Sequence, residues 1–202
     1  MNRRVFTALA IVASLLWGGS SLVSCARSER DRAGAQQPAS SEPGAAAVVD
    51  PVLMAFLSKA RAAHHKADAA EAQGDTAAAI AALESLTRGP RPGGEHPLVE
   101  VREVLSDTHA RLADLQSARG QFDEAVEQVQ AGLGLATDVT YFRGHLFEVR
   151  GLVEERRAKS LEERGETDRM RDARKSAIEA FDEALRIQDQ VIMNALGDAG
   201  PH

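Results

Sequence analysis

From Pro51 onward the apolar residues of this chain return every three or four positions, and glycine or proline interrupts them at intervals. Leu98, Val101, Leu105, Thr108, Leu112 and Leu115 form one such run. That spacing draws a single narrow stripe along a helix. A stripe of that width has to be buried against other helices, so the pattern predicts an all-α fold. Composition points the same way: aromatics make up 4% of the 202 residues, alanine is abundant and β-branched clusters are few.

The interruptions set the expected bounds. Pro51 suits a first helical turn with Asp50 as its N-cap, giving a helix over 51–73 that stops at Gly74. Asp75 or Thr76 caps a second, which ends at Gly89-Pro90, the start of a proline- and glycine-rich loop over 89–97. A third covers about 98–118 and ends at Gly120. A fourth covers 122–135, with Phe122, Ala125, Val129 and Leu133 on one face. A fifth starts near Val139 and stops at Gly165, and the last runs over 168–196. The expectation is six helices in three antiparallel hairpins over 51–197, arranged as a right-handed α-solenoid or as a plain bundle.

Residues 1–24 have a different character. Arg3 and Arg4 precede an apolar run from Val5 to Trp17, followed by Gly18, Gly19, Ser20 and Ser21. This is the order of an export signal, and the run is shorter than the ~20 apolar residues of a spanning helix. Leu22, Val23 and Ser24 then lead to Cys25, the chain's one cysteine. The four residues resemble the bacterial lipobox. The resemblance implies a diacylglyceryl group on the Cys25 sulfur, cleavage before it and further acylation, for example by palmitate. Two or three acyl chains hold a membrane far better than one, at roughly 0.8 kcal/mol per buried CH₂. Ala26 is not the aspartate associated with inner-membrane retention, so the resemblance implies an outer-membrane lipoprotein facing the periplasm. Residues 25–50, rich in Ser, Pro, Gly, Gln and mixed charge, are expected to be a flexible tether.

Three stretches of the helical part look alike, and they resemble the tetratricopeptide repeat, a helix-turn-helix unit. In the second, Leu112-Ala113 stands at the paired large-small position, Gly120 in the turn, and Ala125 and Val129 in the second helix. In the first, Ala67, Gly74, Ala79 and Leu83 take those places, and in the third Gly151, Ala177 and Phe181 do. Small residues are needed where paired helices approach closely. The sequence departs from the repeat in period, since Gly74 to Gly120 is 46 residues where the repeat has 34. It also lacks the first-helix aromatic, with Ala70 and Gln116 at those places, and has Thr137 where proline usually closes a unit.

Chemistry-bearing patterns are scarce. One cysteine makes no disulfide and no cysteine-based zinc site, and the net charge of −6 argues against nucleic acid as a partner. His64 and His65 are adjacent, which places them about 100° apart on a helix, and no HExxH spacing occurs. His96 falls in the loop, while His109 and His145 fall on helices with packing or surface roles. Gly132-Leu133-Gly134 follows a helix instead of a strand, so it is a helix end. No cofactor, metal or small-molecule substrate is expected, and no enzymatic activity. From Glu154 to Lys175, fifteen of twenty-two residues are charged. This stretch is either the solvated tip of the last hairpin or a protein-docking surface through Arg156, Arg157 and Arg164. The expected function is a non-enzymatic scaffold or assembly factor that binds envelope proteins. Similar tetratricopeptide lipoproteins serve as pilotins or as accessories to β-barrel assembly. The alternative is a structural spacer or homo-oligomeric subunit acting through the long last hairpin.

Overall fold

The computed structural model describes residues 50–198. These form six α-helices: α1 (Pro51–Glu71), α2 (Thr76–Thr87), α3 (Val99–Ala118), α4 (Phe122–Leu135), α5 (Tyr141–Glu163) and α6 (Thr167–Asp198). No strand occurs among the described residues, so the all-α expectation holds. The lipobox residues Leu22, Val23, Ser24 and Cys25, and the tether apart from Asp50, lie outside the described residues.

The helix ends follow their caps. The Asp50 carboxylate accepts from the backbone of Val52 at 2.8 Å, and Pro51 occupies the first turn, where its missing N–H has no helical partner to lose. Asp75, not Thr76, caps α2, accepting from Ala78 N at 2.9 Å. The fifth helix begins two residues later than its apolar pattern suggests because Thr140 caps it, accepting from Arg143 N at 3.4 Å.

The three hairpin turns are the same turn. Gly74, Gly120 and Gly165 have φ of 76°, 76° and 74°. Each glycine donates to the carbonyl three residues back, and the residue after it donates to the carbonyl five back, at 2.8–3.0 Å throughout. This double bond is the Schellman motif, which requires a left-handed residue that glycine adopts without strain. Each second helix then starts two residues after its glycine. Forty-six residues separate Gly74 from Gly120, and forty-five separate Gly120 from Gly165.

Packing runs from each hairpin to the next. α1 packs on α2 and α3; α3 also packs on α2, α4 and α5; α5 packs on α3, α4 and α6. Among the described residues the first hairpin makes no contact with the third. Leu83, Leu86, Leu105, Leu112, Leu146 and Ile187 are fully buried in this row. Each contributes about 1.5–3 kcal/mol relative to exposure.

A Cβ added at Gly120 meets nothing within 4 Å, so Gly120→Ala tests the backbone alone. It is expected to lower stability by about 1 kcal/mol through left-handed strain, read as a reduced urea midpoint with an unchanged slope.

Candidate functional site

The turn glycines supply a common ruler for the three hairpins. Seven residues before them stand Ala67, Ala113 and Ala158, and fourteen before stand Ala60, Ser106 and Gly151. All six are buried. A step of seven is nearly two helical turns, so both rows lie on one face of each first helix. That face meets the second helix of its own hairpin. Gly151 shows how closely: a Cβ there would stand 2.5 Å from Phe181 Cε1. Ser106 donates to the Gly132 carbonyl at 3.4 Å across the same seam.

This ruler corrects the third unit. The alanine pattern puts Gly151, Ala177 and Phe181 at the places of Ala113, Ala125 and Val129, but the structure has Ala158, Met170 and Arg174 there. The slip is seven residues at each position. It leaves the face unchanged, which is why Gly151 and Ala177 are buried in the predicted seam even so. In the first two units Ala67, Ala79, Leu112, Ala113 and Ala125 are each 0% exposed, at their expected places.

A second recurring feature lies between hairpins, and it is a clamp. Arg111, nine residues before Gly120, reaches back from α3 to α1, where it bonds Asp68 Oδ1 at 2.6 Å and also Glu71. Arg156, nine residues before Gly165, reaches back from α5 to α3, bonding Asp114 Oδ1 and Ser117 Oγ at 2.6 Å each. Asp68 and Asp114 both lie six residues before their glycines, and Glu71 and Ser117 both lie three before. One guanidinium therefore joins successive first helices at the same register twice. Arg111 holds the Asp68 carboxyl below its usual range through this hydrogen bond. Sequence reasoning missed Arg111. The signal available was an arginine at one fixed distance before two turn glycines.

The three arginines proposed for docking are thus engaged within the chain. Arg156 forms the clamp. Arg157 bonds Asp123 Oδ1 at 2.7 Å at the start of α4 and lies 5.8 Å above the Phe122 ring. Arg164 bonds Glu166 at 2.7 Å and Ser160 at 2.8 Å across the last turn. Arg156 and Arg157 fasten seams instead of standing free at the tip, so reversing their charge acts on the fold as well as on any partner.

Two histidines complete the polar seams. The Thr108 hydroxyl donates to the Val104 carbonyl at 2.7 Å, so His64 Nε2–H donates to Thr108 Oγ1 at 3.0 Å. The other ring nitrogen then accepts from Arg111 Nη1 at 3.4 Å. Burial pushes His64 below its ordinary pKa; Asp107 and Asp68 pull it back, while Arg111 and His65 add to the lowering. His109 donates through Nδ1 to Gln128 Oε1 at 2.8 Å. Burial lowers its pKa as well, against that hydrogen bond. His65 and His145 pair with carboxylates on their own helices, Asp68 and Glu148.

Between α5 and α6 a groove of about 390 Å³ is lined by Gly144, Glu148, Phe181, Ala184, Leu185 and Gln188. Among the described residues, no cluster of His, Cys, Asp or Glu has the arrangement of a metal site, and no helix is long and apolar enough to cross a membrane. Comparison of the chain with protein-family models, with curated proteins and with solved structures finds no match.

Two outcomes follow from these seams. Arg156→Glu sets a carboxylate against Asp114 and is expected to lower stability by about 1 kcal/mol. Adding Asp114→Arg should restore part of that loss in chemical denaturation, which a purely local effect of the first substitution would not allow. His64 and His109 both have lowered folded pKa values, so the unfolded chain binds more protons as pH falls. Their contribution is complete above an unfolded pKa of about 6.5 and declines as pH drops toward the folded values. The unfolding free energy should therefore fall between pH 7.5 and pH 5.5 (about one unit either side of that value), and by less in the His64→Gln, His109→Gln double variant.

Proposed function

We propose that this chain is a lipid-anchored lipoprotein of the bacterial envelope whose helical hairpins act as a protein–protein interaction scaffold or assembly factor. The observation that carries the reading is the recurrence of one turn and one clamp at fixed register along three hairpins that touch only their neighbours. Units joined in this serial way expose a continuous face along the row, and such faces bind extended segments of other proteins. The tetratricopeptide-like reading draws support from the small residues at Ala67, Ala113 and Ala158 and from the glycine turns. Spacings of forty-six and forty-five make these elongated units beside a 34-residue repeat.

The anchor rests on the N-terminal order: Arg3 and Arg4, an apolar run, Leu22-Val23-Ser24 and then Cys25. The thiol is the nucleophile that lipid transfer needs, and Ala26 favours the outer membrane on its periplasmic side. A row of hairpins on a tether would meet partners near that surface. A second reading, a homo-oligomeric subunit or spacer, draws on α6, which continues well past the start of α5.

Cys25→Ala in the full chain tests the anchor. The unsubstituted chain should fractionate with membranes and carry acyl mass on Cys25, while the variant accumulates unprocessed. A variant that is cut normally and still sediments with membranes would overturn the lipoprotein reading.

A further inference from the structure

The two joints of the row share a clamp but differ at their centres. Ten residues before Gly74 stands His64 on α1, and twelve before Gly120 stands Thr108 on α3. These two side chains bond each other across the first joint at 3.0 Å. The same places at the second joint are Ala110 on α3 and Val153 on α5, which share a core and are fully buried. At this register one joint is therefore apolar and the other holds an imidazole. The apolar contacts of the first joint lie on either side of that ring, around Leu83 and Leu112 nearer the turns and around Leu86 and Leu105 farther from them.

The hydrogen bonds fix one protonation state. A hydroxyl has one proton, and Thr108 gives its own to the Val104 carbonyl at 2.7 Å. Thr108 Oγ1 therefore accepts from His64 Nε2–H. His64 Nδ1 stands 3.4 Å from Arg111 Nη1, and a guanidinium can only donate. Nδ1 then carries a lone pair, so the ring that fits this seam is neutral, with its proton on Nε2. A second proton would sit on Nδ1 and point at the guanidinium. It would break the bond from Arg111 and set two cations side by side.

The surrounding charges do not reverse this. On α1, Asp68 favours the imidazolium and His65 opposes it; on α3, Asp107 favours it and Arg111 opposes it. Asp68 is itself bound to Arg111, together with Glu71. The one charged side chain of α2, Glu84, pairs with Arg88 at 2.9 Å. Burial outweighs the two aspartates and keeps the ring neutral below the usual histidine range. The hairpin held by this seam is also an end unit: among the described residues α1 and α2 pack only on each other and on α3. In a serial row an end unit can detach while the rest stays folded.

We propose that the joint between the first and second hairpins is an acid-sensitive hinge, in which protonation of His64 loosens α1 and α2 from α3 while the second joint holds. Released from the seam, the imidazole returns to its ordinary value of about 6.5. The released state therefore gains as pH falls below that value, by up to about tenfold per pH unit, until the ring in the seam is itself protonated. Each release shortens the continuous face to two hairpins. That consequence rests on the scaffold reading, whereas the hinge does not.

Hydrogen exchange followed by mass spectrometry tests the hinge in the full chain. Protection factors, each taken against the intrinsic exchange rate at its own pH, are compared at pH 7.5 and pH 5.5 (about one unit either side of the ordinary histidine value). Protection over 51–87 should fall several-fold, and protection over 141–198 should change little. His109 bonds Gln128 within the second hairpin, so its protonation is read over 99–135 instead. In His64→Gln, whose amide can donate to Thr108 but takes up no proton, 51–87 should be equally protected at both pH values. The hinge fails if 51–87 loses no more protection than 141–198, or if His64→Gln keeps the acid response. Should glutamine loosen the hairpin already at pH 7.5, the unsubstituted chain decides: an even loss along the row overturns the hinge, and a loss confined to 51–87 supports it.

Discussion

The close approach of paired helices at small side chains is the constraint on which this fold depends. Ala67, Ala113 and Ala158 in one row, and Ala60, Ser106 and Gly151 in the other, let each first helix lie against its partner with little side-chain volume between them. Such seams gain dispersion contacts along the backbone but bury few large side chains. The large ones, Leu83, Leu105, Leu112 and Leu146, are placed mainly where one hairpin meets the next. Two packing regimes thus alternate along the row. A bulky substitution inside a hairpin overpacks, whereas a truncation between hairpins leaves a cavity.

The helices and their ends were legible because local chemistry sets them. Glycine in a Schellman turn, proline in a first turn and aspartate at an N-cap act within a few residues, so bounds such as 122–135 could be read directly. The register of the third unit was not legible from its alanine pattern. Gly151 and Ala158 share a face, and a slip of two helical turns changes no periodicity. Only the turn glycine distinguishes them, because it ties each residue to the end of the hairpin. The arginine clamps were hidden for another reason. Arg111 and Asp68 are far apart in sequence, and a run of mixed charge looks the same whether its members face water or a neighbouring helix.

The clamps also explain how so charged a chain holds a serial fold. Arg111, with about a quarter of its side chain exposed, bonds two carboxylates, while Arg156 bonds one carboxylate and one hydroxyl. A guanidinium suits this task because its planar fork can engage two acceptors at once. Exposed single ion pairs contribute little, so the value of each clamp lies in geometry as much as in energy. It fixes the offset between successive first helices, whose other contacts here are non-directional apolar packing around Leu105 and Leu112. On α5 the place of Asp68 and Asp114, six residues before the turn glycine, is taken by Lys159.

Gln116 shows what the repeat register costs when one place is filled by a polar residue. It lies four residues before Gly120, where the other units have Ala70 and Leu161, and it is buried like both. Its side-chain Oε1 has no hydrogen-bond partner among the described residues. A buried acceptor left unpaired costs about 1–3 kcal/mol, so this position detracts from the stability of the central hairpin. That hairpin nevertheless has neighbours on both sides, since α3 packs on α1, α2, α4 and α5. The unpaired acceptor therefore sits on a helix that four others pack against. The end hairpins, each with a neighbour on one side only, carry alanine and leucine at the same place.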